Sequence, residues 1–200
     1  GRIALRFACG VIFAFLMLVD GVRVPNSFAF GSFATGRGDY LDVDSIKTAE
    51  VLRGPASSQF GSDGLAGAVS FRTLAPQDLL GADKTSAAFV RGSYASVDKS
   101  FASTLGLAGK SGAWQTLLLG SYRNGHELAN RGGNQAQDSR RTAPNPMHYD
   151  NRYLLGKLFY AVSSAQQWGL SLESQQRKQD AEVYSARAEP PLTASSTLDL

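Results

Sequence analysis

Residues 49–73 read AEVLRGPASSQFGSDGLAGAVSFRT. Val51-Leu52-Arg53 is a strand signal stopped by Gly54-Pro55, which removes a backbone donor and fixes φ. Residues 56–61 read as a short helical turn with a glycine stop at Gly61, and Ser62–Gly67 as a tight turn. Ala68-Val69-Ser70-Phe71-Arg72-Thr73 alternates as a strand. These glycines shape the backbone and offer no catalytic geometry. The G-x-S-x-G spacing of a nucleophile elbow is missing, and no G-K-[ST] follows to make a phosphate loop.

Upstream, Leu16-Met17-Leu18-Val19 runs into Asp20-Gly21, and Val22-Arg23-Val24 alternates before Pro25 breaks it. This predicts a β-hairpin. Residues 25–40 read as a glycine-rich loop carrying Phe28, Phe30 and Phe33, which either pack against the domain or form a ligand-facing apex. Asp44–Glu50 reads as a short polar helix capped by Asp or Ser. The apolar run Ala8–Val19, with Arg2 and Arg6 before it, is similar to a signal peptide's n- and h-regions. No Ala-x-Ala site follows it. A buried strand is the plainer reading, with a degraded signal sequence or a short membrane-inserted segment as alternatives.

Composition narrows the function classes. Of 200 residues, 43% are hydrophobic and 20 Lys+Arg stand against 17 Asp+Glu, a net +3 with no basic stripe for nucleic acid. Charged residues are only 18%, below the ~25% of ordinary globular chains. One cysteine, Cys9, excludes a disulfide scaffold, and two histidines, His126 and His148, exclude a His-rich metal cluster. No uncharged apolar run approaches the ~18 residues of a membrane helix. Neither histidine has a nucleophile or acid partner at a recognisable spacing, so nothing supports an enzyme.

Three blocks together, residues 19–25, 49–58 and 60–71, resemble the plug domain of TonB-dependent outer-membrane receptors. Val24–Phe28, Gly36–Tyr40, Arg141–Pro146 and Leu154–Leu158 are similar to the haem and haemoglobin subgroup. The resemblance covers roughly residues 16–178 and implies an α+β plug followed by antiparallel transmembrane β-barrel strands. It divides the chain into an atypical segment 1–15, a partial plug 16–80, and 87–200 with the first five strands.

The second half supports this independently. Segments 87–95, 100–108, 113–123, 152–162 and 167–176 alternate, as barrel strands of ~10 residues do. A soluble β-sandwich edge would look similar. Tyr94, Trp114, Tyr122, Tyr153, Tyr160 and Trp168 stand near segment ends, where a barrel places its aromatic girdles. If the first strand rises outward, the short connections 109–112 and 163–166 are periplasmic and the polar stretch 124–151 is an outer loop.

The resemblance implies import of haem or haemoglobin-derived iron across the outer membrane of a Gram-negative cell. The implied partners are a TonB-type energy-coupling protein, haem or haemoglobin outside, and outer-membrane lipid, with no nucleic acid. No tightly bound cofactor is expected; haem is the cargo. Glu50 and Arg53 are implied as plug charges that latch onto barrel-wall charges, an exposed salt bridge being the plain alternative. Gly54, Pro55, Gly61 and Gly67 are the plug motif's backbone devices. The apex stretch 36–40 lacks the histidine expected there, leaving Tyr40 as a substitute iron ligand. His126 and His148 are further candidates, and Arg140 and Arg141 could meet haem propionates; solvated loop residues are the plain alternative for all four. A ferric-siderophore receptor and a soluble β-rich binding module are the rival functions. A barrel of 22 strands at ~10 residues each needs about 220 residues, and an open edge is not viable in lipid. The chain therefore reads as part of an incomplete 22-stranded barrel, inactive alone, with a nonfunctional remnant equally compatible.

Overall fold

The computed structural model describes residues 15–24, 41–53, 67–81, 83–185 and 192–199. Two compact units divide them, the first ending at Leu74 and the second beginning at Ala75.

The first unit is a four-stranded sheet ordered β2-β1-β4-β3, with β1 Phe15–Val19, β2 Val22–Arg23, β3 Ile46–Arg53 and β4 Gly67–Thr73. Its β1 runs parallel to β4, with Leu16 opposite Ala68. On one face of β1 Leu16 and Leu18 are buried, and on the other Met17 and Val19 are half-buried, so apolar residues suit both sides of the strand. Leu16, Leu18 and Ala68 form the buried core. Residues 15–19 are thus the buried strand; Ala8–Ala14 lie outside the described residues.

Asp20 and Gly21 have φ of 48° and 82°. Positive φ at both central positions is the two-residue hairpin turn that matches strand twist, and it joins Val19 to Val22. The Asp20 carboxylate reaches across to the end of β4. Its Oδ1 accepts from the Thr73 amide at 2.9 Å and its Oδ2 from the Thr73 hydroxyl at 2.5 Å.

The polar helix expected at Asp44–Glu50 is not formed. A 3-10 turn spans Val43–Ser45, capped by Asp42, whose Oδ1 accepts from the Asp44 amide at 2.9 Å. Residues 46–53 are strand, antiparallel to β4 with a bulge between Ile46 and Thr48. Hydrogen-bonded pairing along β4 outweighs the weak helix preference of Lys47-Thr48-Ala49-Glu50. The helical turn expected at 56–61 and the turn at 62–66 lie outside the described residues.

The second unit opens with helix α1, Pro76–Leu80, an element that the alternation and turn signals do not announce. Pro76 begins it, Asp78 Oδ2 accepts from the Ala75 amide at 2.8 Å, and Gly81 ends it at φ 58°. A six-stranded antiparallel sheet follows in chain order: β5 Ser86–Ala95, β6 Ser100–Ser111, β7 Trp114–His126, β8 Met147–Ala161, β9 Gln167–Val183 and β10 Leu192–Asp199. Helix α1 packs on β5, β6 and β7, with Leu80 buried.

Two expectations need correction. A sixth strand, β10, stands beyond the five expected in 87–200, because it pairs with the extended end of β9, Leu192 opposite Val183. The strands also overrun their expected ends, reducing the long loop from 124–151 to 127–146. In these extensions polar residues stand on both faces, interleaved with Met147, Tyr149, Ala181 and Val183 on one of them, so hydrophobic alternation carries little signal.

Candidate functional site

Strand parity splits the wall into two unlike faces. One face carries Val90, Leu105, Leu107, Leu118, Leu154, Leu158, Leu170 and Leu172, all exposed. The register sets them in lateral rows; Ala88, Leu107, Leu118, Gly156 and Leu172 form one. Aromatics close the band at both ends. Trp114, Tyr160 and Trp168 share the row beside the short turns, with the Trp114 and Tyr160 rings 4.6 Å apart. Tyr94, Phe101 and Tyr122 stand at the other end. Between these girdles the outward positions carry no charge. An apolar band flanked by aromatic girdles is the surface a barrel turns to lipid. Tyr153 does not belong to it: it faces the opposite side and is buried.

The opposite face is mixed: Leu117, Leu119, Tyr153 and Leu155 are buried on it among small and polar residues. On β6 it presents Ala102, Thr104, Gly106 and Ala108, all buried. Gly106 sits under the Phe89 ring, whose nearest carbon would lie 2.1 Å from an added Cβ. Lys157 and Gln175 are buried here, and Arg91, Arg123, Glu173 and Arg177 share the face by register. Arg123, Asn151 and Arg177 form one row, with Arg91 in the next. The Arg177 guanidinium lies 5.9 Å from the Tyr149 ring centre. Three arginines therefore gather toward the rim that bears the longer loops.

That rim is tied together. The β5–β6 turn holds Lys99 at φ 51°. Asp98 Oδ2 accepts from the Tyr149 hydroxyl at 2.8 Å, and its Oδ1 accepts from the Ser100 amide at 3.1 Å. Partial burial pushes the Asp98 carboxyl up, but the Ser100 and Tyr149 hydrogen bonds outweigh it and hold it below the usual carboxylate range. The His126 and Ala129 amides donate to the carbonyls of Asp98 and Val97 at 2.9 and 2.7 Å. Gly125 makes room for this corner, because an added Cβ would stand 2.6 Å from the Tyr149 hydroxyl oxygen.

The loop 127–146 is folded on itself. Thr142 and Ala143 amides donate to the Asn134 carbonyl at 3.0 and 2.9 Å. At its base the Glu127 carboxylate accepts from the Met147 amide at 3.0 Å, which lowers its pKa. Both arginines read as propionate candidates have local partners. Arg140 forks onto Asp138 at 2.6 Å, holding that carboxyl down at about 2. Arg141 donates to the Gln135 and Pro144 carbonyls at 3.0 and 2.8 Å and lies 5.1 Å from the Tyr184 ring centre.

The two histidines come together. His126 and His148 are directly opposed across β7 and β8, ring centroids 5.2 Å apart. Parity puts both on the lipid-side face, beyond Tyr122. Glu50 and Arg53, three apart on β3, lie on opposite faces of their sheet. Gly67 begins β4 at φ 146°. Tyr40, Gly54, Pro55 and Gly61 lie outside the described residues. Sequence reading passed over Asp98, Tyr149 and Asp150, and did not use the inward Arg91, Arg123 and Arg177. The alternation of 87–95 and 113–123 already sides Arg91 and Arg123, and one step past 176 sides Arg177.

A family model described as "TonB-dependent Receptor Plug Domain" matches residues 13–68. Transferrin-binding protein A of Haemophilus influenzae is 30% identical over 119 residues, 56% of this chain and 13% of that protein. A probable haemoglobin and haemoglobin-haptoglobin-binding protein of the same organism is 29% identical over 124 residues, 57% of this chain and 12% of that protein. The chain thus spans about an eighth of the length of the curated relatives it matches. Among solved structures, the FrpB iron transporter of Neisseria meningitidis (F3-3 variant) superposes with a TM-score of 0.66 at 19% identity, over 93% of this chain and 29% of that one. A ferric enterobactin receptor mutant of Pseudomonas aeruginosa gives 0.58 at 19% identity, over 86% of this chain and 27% of that one.

Proposed function

We propose, since this chain belongs to the TonB-dependent receptors, that it supplies plug strands and a stretch of barrel wall to an outer-membrane importer of haem or haemoglobin-derived iron. The observation that carries this reading is the two-faced wall. One face offers an uncharged apolar band between aromatic girdles, and the other mixes buried leucines with small and polar residues and carries arginines near its loop-bearing rim. The first face suits lipid; the second suits the passage of an anionic ligand.

The cargo assignment draws on two supports. Relatives named for binding haemoglobin and transferrin align with more than half of the chain. Arg91, Arg123 and Arg177 would place positive charge where the carboxylates of haem, or an anionic iron complex, enter. His126 and His148 are set aside as haem ligands, because their parity turns them away from that interior. The plug sheet would be displaced by a TonB-type energy-coupling protein from the periplasmic side. Import is then a matter of binding and release, with no bond made or broken by the protein.

A ferric-siderophore cargo is the second reading, favoured by the likeness in fold to a ferric enterobactin receptor. Growth tests separate the two. An iron-starved strain carrying the full-length gene should grow on haem or haemoglobin as sole iron source, and its deletion should not. Rescue by ferric siderophores alone would overturn the haem assignment. Growth of the deletion on every source would overturn import.

A further inference from the structure

On the inward face, one residue past the level of the Tyr122 girdle, three donor side chains stand in one row. The register sets Arg123 on β7 opposite Asn151 on β8, and Asn151 opposite Arg177 on β9. All three are half-buried. The Asn151 amide is fixed by a diagonal neighbour on β9. Gln175 is buried, and its Nε2 donates to Asn151 Oδ1 at 3.2 Å. That occupies the Asn151 acceptor and leaves its Nδ2, a donor that takes no other partner among the described residues. Arg177 is steadied as well. Its Nη2 donates to Gln179 Oε1 at 3.3 Å, and its guanidinium faces the Tyr149 ring.

We infer that Asn151, flanked by Arg123 and Arg177, forms a cradle for a ligand that carries two carboxylates. The inference rests on the reading that the wall admits an anionic cargo, and it adds which chemistry the wall grips. Neighbouring strands are ~4.8 Å apart, so the two arginines stand roughly 10 Å apart at their backbones with the amide midway. Each guanidinium can fork onto one carboxylate, and the amide nitrogen lies between to serve either.

The face supplies charge to match. Over β5–β9 it carries Arg91, Lys110, Arg123, Lys157 and Arg177 against Glu173 alone. Glu173 lies two rows deeper than the cradle, beyond Gln175. Asp98, in the nearby turn, is taken up by Tyr149 and Ser100. An excess of positive charge draws anions in, and the half-buried setting strengthens each hydrogen bond they make.

The test uses the full-length protein in detergent. It follows haemin and haemin dimethyl ester by Soret absorption and ferric citrate by calorimetry. Haemin should bind ~10-fold or more tightly than its ester, which has no carboxylate to offer. Asn151→Asp keeps the size and the acceptor for Gln175 but replaces the donor with a negatively charged oxygen. It should weaken haemin binding ~10-fold or more and leave the ester unchanged. Arg123→Gln and Arg177→Gln should each weaken haemin binding about 10-fold. Heat-modifiable mobility on gels checks that each variant is folded. Ferric citrate bound without haemin, and weakened by Asn151→Asp, would refute the haem cargo and keep the cradle. An ester bound as tightly as haemin, haemin binding untouched by Asn151→Asp, equal losses for haemin and ester in that variant, or neither haemin nor ferric citrate bound would overturn the cradle.

Discussion

Removing the Asp20 carboxylate should loosen the first unit by a predictable amount. Thr73 is fully buried, and Asp20 takes both its amide and its hydroxyl. Asp20→Ala leaves the amide without a partner, at about 1–3 kcal/mol. The hydroxyl can rotate toward another acceptor and recovers part of its loss. Alanine at φ 48° adds a left-handed penalty of roughly 1–2 kcal/mol. The sum is about 2–5 kcal/mol, or roughly 30- to 4000-fold in the opening equilibrium at ~1.4 kcal/mol per decade. Asp20→Asn should cost about 1 kcal/mol or less, because asparagine tolerates the left-handed region and keeps an acceptor for the amide. Hydrogen–deuterium exchange of the peptide covering 67–73 reads the difference. Protection should fall about 100-fold in the alanine variant and little in the asparagine variant. An alanine variant as protected as wild type, or an asparagine variant that falls equally far, would refute the reasoning.

Further outcomes follow from the wall and its rim. Leu118→Arg, in the middle of the outward band, should lower stability in lipid vesicles by ~2–4 kcal/mol, read as a shifted urea midpoint, while inward Ser121→Arg should cost far less. Gly125→Val should drive a side chain into Tyr149 and Ser100, costing about 1–3 kcal/mol. Limited proteolysis should then cut within 127–146 at lower protease concentrations. Asp98 and Glu127 titrate lower in the folded chain than when unfolded. Their contribution is therefore whole above the unfolded values near ~4 and is lost as pH falls through the lower folded values. Deuterium uptake at 127–147, corrected for intrinsic rates, should stay flat from about pH 8 to 5 and rise below about pH 4.

Legibility followed physical cause. The Asp20-Gly21 hairpin could be read because a two-residue turn demands residues that tolerate positive φ. The outward faces of β5–β9 could be read because lipid imposes alternation. Residues 46–50 could not, since Lys-Thr-Ala-Glu is undecided locally and only pairing with β4 makes it strand. The far ends of β7, β8 and β9 left little trace because polar residues stand on both of their faces. Tyr153 misled because an aromatic near a segment end says nothing of its side; counting from Leu154 would have settled it. The site residues divide likewise. Arg140 and Arg141 looked ligand-like by charge alone, and their partners Asp138, Gln135 and Pro144 depend on how the loop folds. The meeting of His126 with His148 requires the register of β7 on β8, which no local pattern encodes.

The unequal strand lengths give this stretch of wall a slope. Beyond the row of Tyr122, Arg152 and Gln176, strand β9 continues for seven residues to Val183. At ~3.4 Å per residue and a tilt of about 40°, that is roughly 18 Å of height. Strand β8 rises five residues past the same row to Met147, or about 13 Å. The β5–β6 turn begins only one residue past Ala95, near the level of the girdle. The lip is thus a ramp, low at β5 and high at β9. Any bulky particle descending on it would meet the tall side first, while small molecules pass over the low one.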